Sequence, residues 1–375
     1  MGGQHASIPP SGAPIWGHCS GYLGVMHKVA DFDTDATRAG TASHWAFSEA
    51  VLNDLDAEDY IGHADPDGTI VDEGMAHGAQ LMVDMVREDM EKHPGGQLYI
   101  EQRVYMPDIH PDNWGTLDYA YVLPAIKRVI LGDYKHGHLE VSPERNLQLV
   151  DYLKGLENLV GYTFDGWRID LKVCQPYAYS PHGPKKVWQA SRADIVPLWA
   201  QLSEQAHSDP HMTTGKHCRY CPLVGRCSAA RQAGYSLISY VKEPFEVDTM
   251  TGADLEAERD ILTEGSVILK ARLEDIEEQL QNRLRKGEKG IGLTLRQTTG
   301  RAKWTQSDKV VITALKSIGL DVSKETTITP TQAKDKAKTE AQKAAVKALQ
   351  RRPNGKIELV KLKDSPAHRA FGANQ

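Results

Sequence analysis

The segment Gly115–Tyr152 constrains this chain more than any other. It reads GTLDYAYV, then VILGDYKHG, then NLQLVDY. Val129–Lys135 is apolar and ends in charge, the pattern of a buried strand that surfaces at its end. Side chains alternate along a strand, so Asp133 and Lys135 share a face and Tyr134 points away. Thr116–Leu123 reads as a second strand, and Pro124-Ala-Ile-Lys127 can turn the chain back. Asp118 then lies across from Asp133 on one face. Gln148 and Tyr152 fall four apart, on one side of a helix. Hard cations such as magnesium take carboxylate and carbonyl oxygens. Asp118, Asp133 and the Tyr134 carbonyl therefore form a candidate ligand set. Lys135 is placed to orient water or to add positive charge beside a phosphodiester. The leading expectation is a metal-dependent nuclease.

Each piece also has a plainer reading. An Asp-x-Lys on a strand is, taken alone, a surface ion pair, because exposed charges are common and contribute little. A second copy stands at Asp170-Leu-Lys172. Only the first copy has a Gly-x-x-Asp strand before it and a Gln-x-x-x-Tyr helix after it, which favours Asp133 and Lys135 as catalytic. His44 lies in Thr37–Leu52, a helical stretch with Ala42, Trp45, Ala46, Ala50 and Leu52 as packing positions. By spacing alone it is one structural or exposed histidine among 15. Gln148 and Tyr152 also fit a polar helix edge covering the sheet. Glu101, on the strand before Asp118, reads either as a further acidic group or as a strand-edge carboxylate.

The 5 cysteines give the second signal. Cys218, Cys221 and Cys227 form a Cys-x2-Cys-x5-Cys cluster, Cys19 lies about 200 residues upstream, and Cys174 is isolated. Met1-Gly-Gly lacks the charged region and apolar core of an export signal, so a metal site is expected rather than disulfides. Four thiolates suit zinc or an iron–sulfur cluster. Spacing does not choose between them, and His217 can substitute as a zinc ligand.

In order, Gly40-Thr-Ala-Ser-His44, Gly115-Thr-Leu-Asp118, Asp133-Tyr-Lys135 and Gln148-x-x-x-Tyr152 resemble the RecB-like branch of the PD-(D/E)XK nucleases. The chain is similar to CRISPR-associated RecB-like exonucleases and to a group of phage-encoded relatives, over roughly residues 5–230. The phage group is also similar at Gly300-Arg-Ala-Lys-Trp304 and near Pro353-Asn-Gly-Lys356. The resemblance implies a restriction-endonuclease-like α/β core, a mixed central sheet flanked by helices. It implies His44, Asp118 and Asp133 as ligands of magnesium or manganese, for which imidazole suits manganese better. It implies Lys135 as the catalytic lysine, and Gln148 and Tyr152 as residues that hold DNA near the scissile phosphate. One upstream cysteine plus a downstream triplet is the arrangement of the iron–sulfur members. The resemblance therefore implies a [4Fe–4S] cluster on Cys19, Cys218, Cys221 and Cys227, with structural zinc as the alternative and Cys174 a buried spectator. The implied activity is a DNA exonuclease making single-stranded ends for phage recombination, replication or repair, with a recombination or single-strand-binding protein as a further partner. A non-catalytic DNA-binding or assembly factor with a nuclease-like core is the competing class. The complete set Asp118, Asp133 and Lys135 favours the enzyme.

At 375 residues the chain is long enough for two domains. We expect a nuclease domain over 1–245 and a mainly helical accessory region with short strands over 246–375. No apolar run reaches transmembrane length, so a cytoplasmic protein is expected, in a bacterial host if phage-encoded. A net charge of -6 opposes DNA binding only weakly, because a nuclease needs a local positive channel and acidic metal ligands. Residues 331–369 carry eleven Lys or Arg against four Asp or Glu, either a phosphate-steering end or a solvated helix. Ser11–Val29 reads as a helix bearing Cys19. Leu255, Leu262, Leu269, Leu273, Ile276, Leu280 and Leu284 form a helical stripe ending at Gly287, the mark of a packed helix. No Gly-x-x-x-x-Gly-Lys-Ser/Thr loop is present, which excludes this common ATP-binding route to duplex unwinding.

Overall fold

Alternating apolar residues in five runs between Gln97 and Ala190 build one mixed sheet. The structure is a computed structural model. It describes residues 6–28, 35–181, 183–240, 250–299, 302–306, 308–322, 329–352 and 354–361. Strands β1 (Gln97–Tyr105), β2 (Trp114–Leu123), β3 (Arg128–Tyr134), β4 (Arg168–Cys174) and β5 (Lys185–Ala190) pair in chain order. Neighbours are antiparallel except β3 and β4, which run parallel. Helices α1 (Asp35–Asn53) and α2 (Glu73–Lys92) precede the sheet. Helix α3 (Leu147–Val160) makes the crossover that a parallel pair requires, and α4 (Arg192–His207) follows β5. This is the α/β core with a mixed, helix-flanked sheet expected from the sequence.

Strand alternation sorts the side chains into two cores. Ala120, Val122, Val129, Leu131, Leu171 and Val173 pack with Leu149, Leu153 and Leu156 of α3 and Leu198 and Leu202 of α4. Tyr119, Tyr121, Ile130, Tyr134 and Cys174 pack with Ala46 and Phe47 of α1 and Met82 and Val86 of α2. Fully burying one large apolar side chain stabilises by about 1.5–3 kcal/mol, so both faces hold the central strands firmly. The turn between β2 and β3 is the expected one. Pro124–Ile126 forms a 3-10 turn, and Lys127 closes it with φ 48°. Two glycines are fixed by close approach. A Cβ at Gly132 would lie 2.0 Å from the Tyr119 ring, and one at Gly115 would meet Pro10 and Tyr152 at 3.0 Å.

The helix expected over Ser11–Val29 is instead broken into short turns, Pro10–Gly12, Ala13–Trp16, Ser20–Leu23 and Met26–Lys28. Glycines at 17, 21 and 24 weaken a continuous helix. Cys19 falls at the break with extended backbone and accepts a hydrogen bond from the Thr213 amide at 3.5 Å.

The chain forms two compact units, Met1–Arg272 and Leu273–Gln375. The boundary expected at 245/246 lies outside the described residues. After helix α5 (Ser228–Tyr240), the leucine stripe forms one helix, α6 (Gly252–Arg285), ending before Gly287 at φ 80°. Its packing is narrower than the stripe suggests. Ile268 and Ala271 are buried beside Cys218, Val224 and Ala230, whereas Leu255, Leu262 and Leu273 stay exposed. In the second unit, Leu293–Thr299 pairs antiparallel with Asn354–Lys361. Helices Asp308–Lys316, Pro330–Lys336 and Glu340–Ala348 supply much of a small core around Val311, Leu315 and Val346. Gly300, Arg301 and Pro353 lie outside the described residues, as do the basic residues beyond 361. No helix among the described residues is long and apolar enough to cross a membrane.

Candidate active site

Three adjacent strands each carry a carboxylate at one level of the sheet. Pairing of β2 with β3 ends at Tyr119↔Gly132, so Asp118 and Asp133 are the next residues out, where the strands part. Pairing of β1 with β2 skips from Ile100↔Tyr119 to Gln102↔Leu117, leaving Glu101 opposite Asp118. Glu101 adopts φ 46°, a left-handed backbone that a glutamate rarely takes. Such strain persists where surrounding structure imposes it, and it concentrates at functional sites.

His44 reaches this level from α1. Its Nδ1 lies 3.5 Å from Asp118 Oδ2 and 3.9 Å from Glu101 Oε1. Among the described residues, His44, Glu101 and Asp118 are the one group of three His, Cys, Asp or Glu whose ligand atoms lie within 4.8 Å of one another. Asp133 stands beside that trio. Its Oδ1 accepts a hydrogen bond from Gln148 Nε2 at 2.9 Å, and its Oδ2 has Lys135 Nζ at 2.9 Å. That Oδ2 is buried, and its contact with the lysine is an ion pair and not an aligned hydrogen bond. Lys135 Nζ donates instead to Gln148 Oε1 at 2.9 Å. The Tyr134 amide donates to Asp118 Oδ2 at 2.6 Å, while its ring packs on the opposite face and meets His44 edge-on. Asp133 and Lys135 thus share a face and Tyr134 turns away, as the strand period requires.

Helix α3 explains the Gln-x-x-x-Tyr spacing. Asn146 caps it, accepting from the Gln148 and Leu149 amides, which sets Gln148 in the first turn over Asp133. Tyr152 follows one turn later, against the space that Gly115 leaves open. Both are buried. Gln148 uses both ends of its amide on Asp133 and Lys135, and Tyr152 hydrogen-bonds Gln148.

The electrostatics match a site short of positive charge. Loss of hydration first, then the charges of Asp118 and Asp133, push Glu101 up to about 8. Burial pushes Asp118 up to about 6, with Asp133 adding to the shift and His44 and Lys135 opposing it. Burial acts to lower Lys135, but Asp133 and Asp118 outweigh it and hold the ammonium charged. A buried carboxylate pair, an imidazole and crowded acids with one lysine among them are the donor set that a divalent cation satisfies. The residues present therefore fit magnesium or manganese.

The four cysteines of the second motif also come together. Cys19, Cys218, Cys221 and Cys227 all line one cavity of about 280 Å³, with Ile15, Tyr22 and Val224 as apolar walls. His217 enters the same cavity and hydrogen-bonds Cys19 and Cys218, which outweigh burial and raise the imidazole to about 10. Burial would raise Cys19, but its bonds to His217 and Thr213 bring it down to about 7. No three of these ligand atoms lie within 4.8 Å of one another. A tetrahedral zinc with bonds of about 2.3 Å draws its sulfurs closer than that. A cubane cluster, with its irons at separate corners, takes thiolates that stand further apart. Four thiols that line one cavity make it a candidate metal centre. Cys174 sits elsewhere, fully buried on β4 and pushed up to about 12 by burial.

The family model described as "Protein of unknown function (DUF2800)" matches residues 5–367. The chain belongs to the DUF2800 family. A crystal structure from Eubacterium rectale described as a "putative exonuclease" is similar at 11% identity and a TM-score of 0.32, covering 66% of this chain and 92% of that one.

In this DUF2800 chain the second Asp-x-Lys copy has a different fate. Asp170 accepts from Arg128 Nε at 2.7 Å and pairs with Arg168 at 3.4 Å. Lys172 pairs with Asp89 of α2 at 2.6 Å, and Tyr119 donates to the same carboxylate. Glu101 is the residue that sequence reasoning left undecided. Its place opposite Asp118 follows from the β1–β2 register, and the mere presence of an acid two residues before Arg103 does not reveal that.

Proposed function

We propose that this chain is a metal-dependent nuclease that hydrolyses DNA phosphodiesters, acting as an exonuclease. The observation that carries the reading is the level of Glu101, Asp118 and Asp133 across β1–β3, joined by His44 and by Lys135. A structural ion-pair network would pair these acids with cations. Here one lysine and one histidine face three carboxylates.

Magnesium or manganese would be held by His44, Asp118, Asp133 and the Tyr134 carbonyl, with Glu101 as an added oxygen donor. Bound there, the cation supplies positive charge and Lewis acidity toward a phosphate. The chain's own part is positioning. Gln148 fixes the distance between Asp133 and Lys135, and Lys135 presents a charged donor to an incoming phosphate oxygen or to water. The activity would make single-stranded ends for recombination, replication or repair, with a recombination or single-strand-binding protein as partner. The test is cleavage of end-labelled linear and circular DNA with magnesium or manganese, each against chelator. The reading expects metal-dependent loss of linear substrate and sparing of circles. No cleavage of any substrate with either metal would contradict it.

We further propose that Cys19, Cys218, Cys221 and Cys227 bind one [4Fe–4S] cluster that ties the N-terminal turns to the 211–228 segment. Support comes from the cavity that all four cysteines line. Protein purified without oxygen should be brown and carry iron and sulfide, and Cys221→Ala should lose both and melt lower. A colourless preparation with stoichiometric zinc and no iron would overturn the cluster.

A further inference from the structure

Beyond the left-handed residue Glu101, β1 and β2 continue as a two-stranded ribbon whose faces differ. Val104 and Leu117 turn into the core under α3. Their neighbours Arg103, Tyr105, Trp114 and Thr116, paired Arg103↔Thr116 and Tyr105↔Trp114, turn the other way. On that face the packing with α1 and α2 involves Leu98 and Ile100 of β1 and Tyr119 and Tyr121 of β2, and no residue further out. What lies uncovered is not a random surface. Arg103 stacks its guanidinium 4.5 Å from the centre of the Trp114 ring. Tyr105 lies beside that ring at 6.5 Å and is 54% exposed. Arg103 has no carboxylate partner among the described ion pairs, so its charge is available.

We propose that this ribbon face is a base-stacking platform for single-stranded nucleic acid, leading a strand into the metal site. Trp114 and Tyr105 would stack on bases and Arg103 would contact a phosphate. The assignment of the strand as substrate rests on the nuclease reading above. Three observations point to nucleic acid rather than protein. The aromatic rings are paired with a cation, which is the composition that stacking sites use. The ribbon starts at the carboxylates, because Arg103 and Tyr105 are the second and fourth residues after Glu101 on β1. From Glu101 to Tyr105 is about 13 Å along an extended strand, a span of a few nucleotides.

The experiment is anisotropy of a 5′-fluorescein oligothymidylate of about 20 nucleotides, longer than the usual single-strand site, titrated with the full chain in chelator. Losing one stacking ring lowers affinity by roughly 5- to 150-fold, so Trp114→Ala and Tyr105→Ala should each fall in that range while Trp114→Phe stays near wild type. Arg103→Ala should weaken binding and lower the salt dependence by about one counterion. Tyr105 is exposed, so Tyr105→Ala decides the matter if Trp114→Ala fails to fold. Unchanged affinity in Tyr105→Ala and Arg103→Ala overturns the platform and leaves metal-dependent cleavage standing. Loss of binding in those variants, with a wild type that binds but never cleaves, supports the platform and sinks the nuclease reading. A wild type that binds no single strand overturns the platform outright.

Discussion

The two Asp-x-Lys copies sit on neighbouring parallel strands and meet opposite fates. Asp170 and Lys172 are on the face of β4 that carries Cys174, and each charge is matched by a separate partner, Arg128 and Asp89. Asp133 and Lys135 are on the opposite face of β3, paired with each other through Gln148 and open toward Asp118 and His44. The same tripeptide pattern thus builds an ion-pair lock on one side of the sheet and a polar centre on the other. What separates them is the neighbour count of each sign. The Asp170 copy has its charges balanced by other elements, and the Asp133 copy faces an excess of carboxylate.

The sharpest way to break this comparison is to remove one acid from each. Asp118→Ala or Asp133→Ala should lower cleavage by on the order of 10²-fold or more, with a melting temperature close to wild type. Asp170→Ala should do the reverse. It leaves Arg128 against a buried strand without its counter-charge and should cost about 3–5 kcal/mol of stability, while residual folded protein keeps its activity. Denaturant midpoints and single-turnover cleavage on the same preparations check both. Equal loss of activity in the two variants would erase the distinction.

A smaller effect sharpens the role of Glu101. A cation needs its carboxylates deprotonated, and Glu101 is raised to about 8 and Asp118 to about 6. Manganese affinity measured by calorimetry should therefore rise as pH increases from 6 to 8. Glu101→Gln should bind more weakly and flatten the upper part of that rise. A wild-type affinity that is level across this window would remove Glu101 from the metal site.

Much of this centre was legible in the sequence, and the limits have physical causes. Strand period two gives the shared face of Asp133 and Lys135, and the apolar run with its charged end gives the strand itself. The turn at Pro124–Lys127 follows from local chemistry. Glu101 stays undecided in sequence because its place opposite Asp118 depends on which residues of β1 and β2 pair and on its left-handed backbone, which no alternation rule shows. The break at Cys19 escaped because three spaced glycines fit a weak helix or a series of turns until packing chooses. The leucine stripe of α6 suggested a packed helix, but partners along its length are set by tertiary structure, and Leu255, Leu262 and Leu273 found none that bury them.

The smallest expected effect lies behind the site. Asp151 is fully buried, with Asn113 Nδ2 donating to both its oxygens at 2.9 and 3.0 Å, and burial raises it to about 7. The folded state holds this proton more tightly than the unfolded chain. Its contribution is therefore fully present below the unfolded value near 4 and is lost as pH rises through 7. Thermal melts of Asp151→Asn should fall less steeply from pH 4 to 7 than those of wild type, with the asparagine oxygen still accepting from Asn113. Parallel melting curves across that range would assign the pH dependence elsewhere.

Lys135→Ala and Lys172→Ala, compared side by side on end-labelled linear DNA with manganese, test the central claim most directly. The account predicts that Lys135→Ala loses cleavage while staying folded with manganese, whose charge offsets Asp133, and that Lys172→Ala cleaves but melts lower because Asp89 loses its counter-charge in the core. Full cleavage by Lys135→Ala, or its loss in a well-folded Lys172→Ala, would contradict it.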